Sequence, residues 1–286
     1  MKIFTTFIRC ISLTVINPRL NAIHCAATLL PIYTERHWWL TTYMYINLEI
    51  IECIPMDGFN HCATMDSNDT LQKFNRQSQT PLSSEECRKL YTDWSSDYEK
   101  TLNDEGYHPQ RSIVKYFDEL SLPKNSRILD CGAGTGLVGQ ELTNRGYTNI
   151  DCVDGCEKML EIARKKNIYK KMYCSFVYPD RELPIESETY DALIMVGVFC
   201  PGHFPIEVGT FKQLLRLLKK GGVMVWGMRH PDVYGKVDEA FANRRFDNIL
   251  QTLSETKIAS LMDGCPRMYP NHRGEEEGYF YALKKH

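Results

Sequence analysis

The stretch Arg127 to Gly139, RILDCGAGTGLVG, constrains the fold more than any other part of the chain. It reads as a buried strand at Ile128 and Leu129, an acid at Asp130, a turn holding Gly132, Ala133, Gly134 and Gly136, and the start of a helix. Glycine serves where the backbone must take positive φ or come close to a ligand. A helix opening just after the turn presents free N–H groups and the positive end of its dipole. Together these make a site for the polar part of a nucleotide-like ligand. The alternative is a tight strand-to-helix turn with no ligand.

Two glycine patterns overlap here. Gly134-x-Gly136-x-x-Gly139 fits the dinucleotide spacing. Asp130-x-Gly132-x-Gly134-x-Gly136 fits the pattern of S-adenosylmethionine (SAM) methyltransferases. A carboxylate just before the glycines suits a cationic ligand and would repel a pyrophosphate, which favours the second pattern.

The chain has 286 residues, enough for one large or two ordinary domains. A net charge of −2 leaves no overall basic footprint for nucleic acid. No apolar run approaches the roughly 20 residues of a bilayer-spanning helix. Eleven cysteines form no C-x-x-C pair, and Cys152-x-x-x-Cys156 lacks a matching second pair, so no metal site is expected. Cys131, Cys152 and Cys174 fall in or beside expected strands, where free cysteine acts as a small apolar residue. A reducing, cytoplasmic setting is the simpler reading.

Residues 1–64 show no clear period and are expected to be a poorly structured extension. Lys2, Arg9 and Arg19 with no acid among the first 34 residues give a mitochondrial presequence as the minority reading. Residues 65–82 read as a linker and 83–286 as the functional domain. Ser83-Ser84-Glu85-Glu86 forms a capping box. The helix it opens places Cys87, Leu90, Tyr91, Trp94 and Tyr98 on one face, either as plain core or as an aromatic lid over a ligand. A second helix starts at Pro109.

Strands are expected at 127–130, 150–154, 172–177, 190–199, 223–228 and 279–285, with helices between them, the last over 238–253. A helix carrying Phe211, Leu214, Leu215 and Leu218 is expected to end at Lys219-Lys220-Gly221-Gly222. Asp154 ends the second strand about 20 residues past the glycines, where an acid accepts both ribose hydroxyls in nucleotide-binding sheets. It could equally cap the helix that follows. Alternating strands and helices predict an α/β fold with a doubly wound, mostly parallel sheet.

The series ILDCGAGTG, VDGCEKML, YDALIMVGVF and LLRLLKKGGVMVW resembles the class I SAM-dependent methyltransferases. The resemblance covers roughly residues 83–286, and LLKKGG before a strand has no counterpart in dinucleotide dehydrogenases. WSSDYEKTLNDEGY, GAGTGLVG, YDALIMVGVFCPGH and MRHPDVY are similar to the Williams–Beuren-region methyltransferase-like proteins, which lack added recognition domains. The resemblance implies a Rossmann-like, seven-stranded sheet with an N-terminal helical lid, and SAM as cofactor.

It further implies that Asp130, Gly132, Ala133, Gly134 and Gly136 surround the methionine part, and that Asp154 binds the ribose. Gly155 and Met159 match positions near the adenine, Val196 and Gly197 the strand end beside the methyl donor, and Trp94 and Tyr98 the lid. Asp180 lies one place off the usual position of an acid for the adenine amino group.

Methyl transfer needs a general base only when the nucleophile arrives protonated. His203 and Arg229 follow the fourth and fifth strands and are the catalytic candidates, against loop packing or solvation. Phe199-Cys200-Pro201-Gly202 stands where base-amino methyltransferases carry Asp/Asn-Pro-Pro-Tyr. The expected function is methylation of a small molecule by SAM. The alternatives are a SAM-binding module without catalysis and a dinucleotide oxidoreductase.

Overall fold

The computed structural model describes residues 81–286, which belong to the unit His61–His286. The expectations for residues 1–64, and for the linker up to residue 80, lie outside the described residues.

Helix α1 (Ser84–Trp94) starts with the expected box: the Ser83 hydroxyl accepts the Glu86 N–H, and the Glu86 carboxylate accepts the Ser83 N–H. It stops at Trp94, so Tyr98 opens a separate helix, α2 (Tyr98–Asp104), instead of extending one continuous face. Helix α3 (Pro109–Glu119) begins on its proline. Strand β1 (Ile128–Cys131) leads through the glycine turn into α4 (Leu137–Asn144). There follow β2 (Ile150–Asp154), α5 (Glu157–Lys165), β3 (Met172–Cys174), β4 (Tyr190–Val196) and α6 (Val208–Leu217).

Strand β5 (Leu218–Met228) begins earlier than expected: Leu218 pairs with Tyr190, and the di-lysine lies in a bulge of the strand with Gly221 at φ 76. The helix expected over 238–253 is broken. After the short α7 (Pro231–Tyr234), a 3-10 turn at Glu239–Phe241 is separated from α8 (Arg245–Glu255) by Asn243 and Arg244, both at positive φ. The sheet ends with β6 (Ala259–Leu261), β7 (Arg267–Arg273) and β8 (Glu276–Lys285).

The sheet order is β3-β2-β1-β4-β5-β8-β6, with β7 pairing β8 off that path. The first five strands run parallel, and β8 lies antiparallel between β5 and β6. The Rossmann-like sheet expected from the sequence is present, with eight strands among the described residues where seven were expected. The extra one, β7, is mostly exposed and polar, and so lacks the alternation that marks a strand in sequence.

Strand β4 shows why its sequence is a continuous apolar run. Leu193 and Met195 enter the core on one face, and Ala192 and Ile194 the core on the other. One core holds Phe199 stacked on Phe211 at 5.2 Å and Trp226 stacked on Tyr281 at 4.9 Å. The other joins Ile113, Phe117, Leu142, Ile194 and Val225 under α3 and α4. Buried Asp151 ties the N-terminal side of the sheet together, accepting from Arg127 at 3.0 Å, the Tyr190 hydroxyl at 2.9 Å and the Lys171 N–H at 3.0 Å. The carboxyl ends of the strands are left to the site.

Candidate functional site

The turn after β1 is shaped by glycines at positive φ: Gly132 at 73, Gly134 at 54 and Gly136 at 88. Two need the missing side chain for different reasons. A Cβ on Gly132 would run into Val198, while one on Gly134 would meet no atom of the described residues within 4 Å. Gly134 lines a cavity at the strand ends, so its bare backbone is the floor of a cradle. The helix behind the turn, α4, opens at Gly136 in the left-handed conformation.

Asp154 fixes this turn. Its carboxylate accepts the Gly134 N–H at 2.8 Å and the Cys156 N–H at 2.8 Å. One acid therefore joins the loops after β1 and β2 and sits on the cavity wall. Burial raises its pKa, and the two backbone hydrogen bonds oppose that rise. The helix-cap reading is thus half right in kind: the carboxylate bonds backbone N–H groups beside α5, but the loop it secures belongs to the glycine turn.

Asp130 is placed differently. It is fully buried, accepts the Tyr169 hydroxyl at 2.6 Å, and is not among the residues lining the cavity. Tyr169 in turn packs against Gly139, whose Cβ would lie 2.5 Å from the tyrosine oxygen. Burial pushes the Asp130 carboxyl up to about 7, against the Tyr169 hydrogen bond. Through Tyr169 it braces the turn from beneath. Ala133 is also turned inward, packing with Cys152 and Leu160. Gly136 faces Tyr169 rather than the cavity.

The cavity measures about 850 Å³ with its mouth included. Of the residues singled out from sequence, it brings together Tyr98, Gly132, Gly134, Asp154, Gly155, Met159, Val196 and His203. Trp94 is excluded: it is fully buried behind the lid, its indole N–H donating to the Thr101 hydroxyl at 3.1 Å and its ring edge-on to Tyr98 at 4.7 Å. Arg229 is excluded too: its guanidinium pairs with Glu276 at 2.8 Å and lies over the Tyr234 ring. That ion pair reaches across to β8, which is why the position after β5 misled. Asp180 is exposed and outside the lining.

Sequence reasoning passed over Phe176 and Tyr107, which line the cavity together with Tyr91 of the aromatic helix face. Phe176 follows β3 and lies against Gly155, where a Cβ would fall 2.5 Å from its ring. Its place just past a strand end was the available signal. Tyr107, between α2 and α3, reaches Gly197 across the fold, with its oxygen 3.2 Å from where a Cβ would stand. Gly197 itself is at φ 71 and directly follows β4. Tyr91, on α1, meets His203 at 2.7 Å between its oxygen and Nε2. That contact joins the lid helix to the loop between β4 and α6.

A mostly parallel sheet with this strand order, a glycine turn after β1 and an acid closing β2 is the arrangement that the resemblance to class I SAM-dependent methyltransferases implied. Comparison with known proteins gave the following similarities. Residues 128–222 match the family described as the methyltransferase domain. The chain is 31% identical over 138 residues to methyltransferase-like protein 27 of Homo sapiens, covering 47% of this chain and 54% of that protein. It is 27% identical over 166 residues to sterol 24-C-methyltransferase of Candida albicans, covering 55% and 40%.

It is also 27% identical over 156 residues to tRNA (carboxymethyluridine(34)-5-O)-methyltransferase alkbh8 of Xenopus tropicalis, covering 51% and 22%. The chain thus spans 54% or less of the length of these three relatives. A solved SAM-dependent methyltransferase of Aquifex aeolicus superposes with a TM-score of 0.47 at 14% identity, covering 68% of this chain and 98% of that one.

The cofactor of this class is SAM, and the residues present fit it. Gly134 leaves backbone bare where a side chain would fill the space, and Asp154 offers carboxylate oxygens at the end of β2.

Proposed function

We propose that this chain transfers a methyl group from SAM to a small molecule, with the site held as follows. Gly132 and Gly134 lie along the methionine part, Asp154 accepts from the ribose, and Gly155, Met159 and Phe176 enclose the adenine. SAM supplies a methyl group on a sulfonium, which leaves with the sulfur keeping the bonding pair. The chain's own task is to align the nucleophile with that methyl and to exclude water.

The observation that carries the small-molecule reading is the lid contact. Tyr91 on α1 reaches His203 beyond β4, so the strand ends open into a walled cavity and not onto a flat face. Uncharged side chains make up most of that wall; Arg88 at the lid and Asp154 are the charged groups among the lining residues. Such a wall suits a small acceptor better than a polyanion, which needs a cationic surface. The cytoplasm is its inferred setting, on the strength of the cysteine usage.

Transfer from methyl-labelled SAM tests this. The full chain is incubated with cell extract, which is then separated by ultrafiltration and solvent extraction. Label is expected in the small-molecule fraction, with Asp154→Ala as the blank. Label confined to protein or RNA would contradict the proposal.

A further inference from the structure

The contacts at the ends of β4 and β5 close into a ring that starts and finishes at the cavity. Gly197, on the cavity wall, donates its N–H to the Gly227 carbonyl of β5 at 3.3 Å. The Tyr269 oxygen of β7 stands over Gly227, 3.2 Å from where a Cβ would be. That oxygen meets His272 Nδ1 at 2.5 Å. The His272 ring lies edge-on to the Tyr107 ring, with centroids 5.2 Å apart and planes at 88°. Tyr107 lines the cavity and brings its oxygen back to Gly197. Gly278 of β8 makes room for the hairpin's two rings. A Cβ there would fall 2.5 Å from the Tyr269 oxygen and 2.7 Å from His272 Nδ1.

His272 is out of character with its strand. Of the seven residues of β7 only Tyr269 and His272 are buried. Burial, with the Arg229 and Arg273 guanidiniums nearby, holds the imidazole down to about 3, so the ring is neutral at physiological pH. What it supplies is a flat surface and not a charge. Two ion pairs fasten the hairpin around it. Arg273 lies 3.6 Å from Glu105, just past α2 and two residues before Tyr107. Arg229, just after β5, pairs at 2.8 Å with Glu276 at the start of β8.

The geometry points to His272 as a positioning residue for methyl transfer: it holds the Tyr107 ring as the cavity wall beside Gly197, and so makes the β7–β8 hairpin part of the active site. This rests on the methyltransferase reading, in which Gly197 lies beside the methyl donor and Tyr107 touches the bound molecules. His272 acts through Tyr107 and is itself outside the lining. The cofactor's cradle, Gly134 and Asp154, is built on the loops after β1 and β2, away from this ring of contacts. Loss of His272 therefore leaves cofactor affinity in place and loosens the alignment of acceptor with methyl. A misplacement of about 1 Å can cost about 100-fold in rate.

The full chain provides the test. Label transferred from methyl-labelled SAM to cell extract, counted over all fractions, is read at saturating SAM. Calorimetric titration of S-adenosylhomocysteine (SAH) runs beside it. His272→Ala is expected to lower the transfer rate at least about tenfold, with SAH affinity within about threefold of wild type. His272→Phe, which keeps a flat ring against Tyr107, is expected to regain most of that loss. A third readout needs no variant to fold. Proton NMR of the SAH-bound wild-type chain is expected to show cross-relaxation between the Tyr107 and His272 rings. A smaller loss of rate in His272→Ala, an equal loss of SAH affinity, no recovery in His272→Phe, or absence of the cross-relaxation would each overturn the proposal. A wild-type chain that transfers no label would remove the methyltransferase reading itself, and the proposal with it.

Discussion

Replacing Asp154 by alanine is expected to weaken SAH binding at least about 100-fold. The carboxylate accepts two backbone N–H groups at 2.8 Å, one from each loop that faces the cofactor. Hydrogen bonds to a charged acceptor contribute roughly 1.5–3 kcal/mol each. Losing both frees the Gly134 and Cys156 loops, and in the proposed arrangement the ribose loses its acceptor as well. A combined loss near 3 kcal/mol is about 100-fold in affinity. Asp154→Asn, which keeps one acceptor oxygen, is expected to fall between wild type and alanine. Calorimetric titration of SAH, on samples shown by circular dichroism to be folded, reads the effect. A change of less than about fivefold in Asp154→Ala would contradict the assigned role.

Asp130 makes the second large effect, and its sign follows from burial. Its carboxyl is raised from 3.8 to about 7 in the folded chain. Between those values the folded state holds a proton that the unfolded state has released. Stability through this group is therefore greatest below about 4 and declines as pH rises through 7. Between pH 5 and pH 8 the decline is roughly 2–3 kcal/mol. Asp130→Asn cannot ionise, so its unfolding free energy is expected to change less over that interval by about that amount. Urea unfolding of both proteins at pH 5 and pH 8 gives the comparison. Equal pH dependence in the two would mean that Asp130 is not buried beneath the turn as described.

These two acids show what the sequence could and could not convey. Both were recognisable because each stands at a fixed place: Asp130 before the glycines, Asp154 at the end of a strand. Their position was local information, but their surroundings were not. Asp130 meets Tyr169, from the far side of α5, a partner that its place before the glycines does not announce. Arg229 met a similar fate through Glu276 on β8. Trp94 and Tyr98 share a helical spacing, but the helix breaks between them, so one is core and the other lines the cavity.

The parallel strands were legible because burial on both faces writes long apolar runs, as in β4. Strand β7 was not, because it is a mostly exposed hairpin arm that, among the described residues, pairs with β8 alone. Tyr107 reaches the site across Gly197, a meeting that only the fold creates.

The central claim is that the cradle formed by Gly134 and Asp154 binds SAM. Its most direct test is calorimetric titration of SAM, SAH and NADH into the full chain. The expected result is saturable binding of SAM and SAH with one site per chain, and no heat from NADH. A folded chain that binds NADH, or that binds neither SAM nor SAH, would contradict the claim.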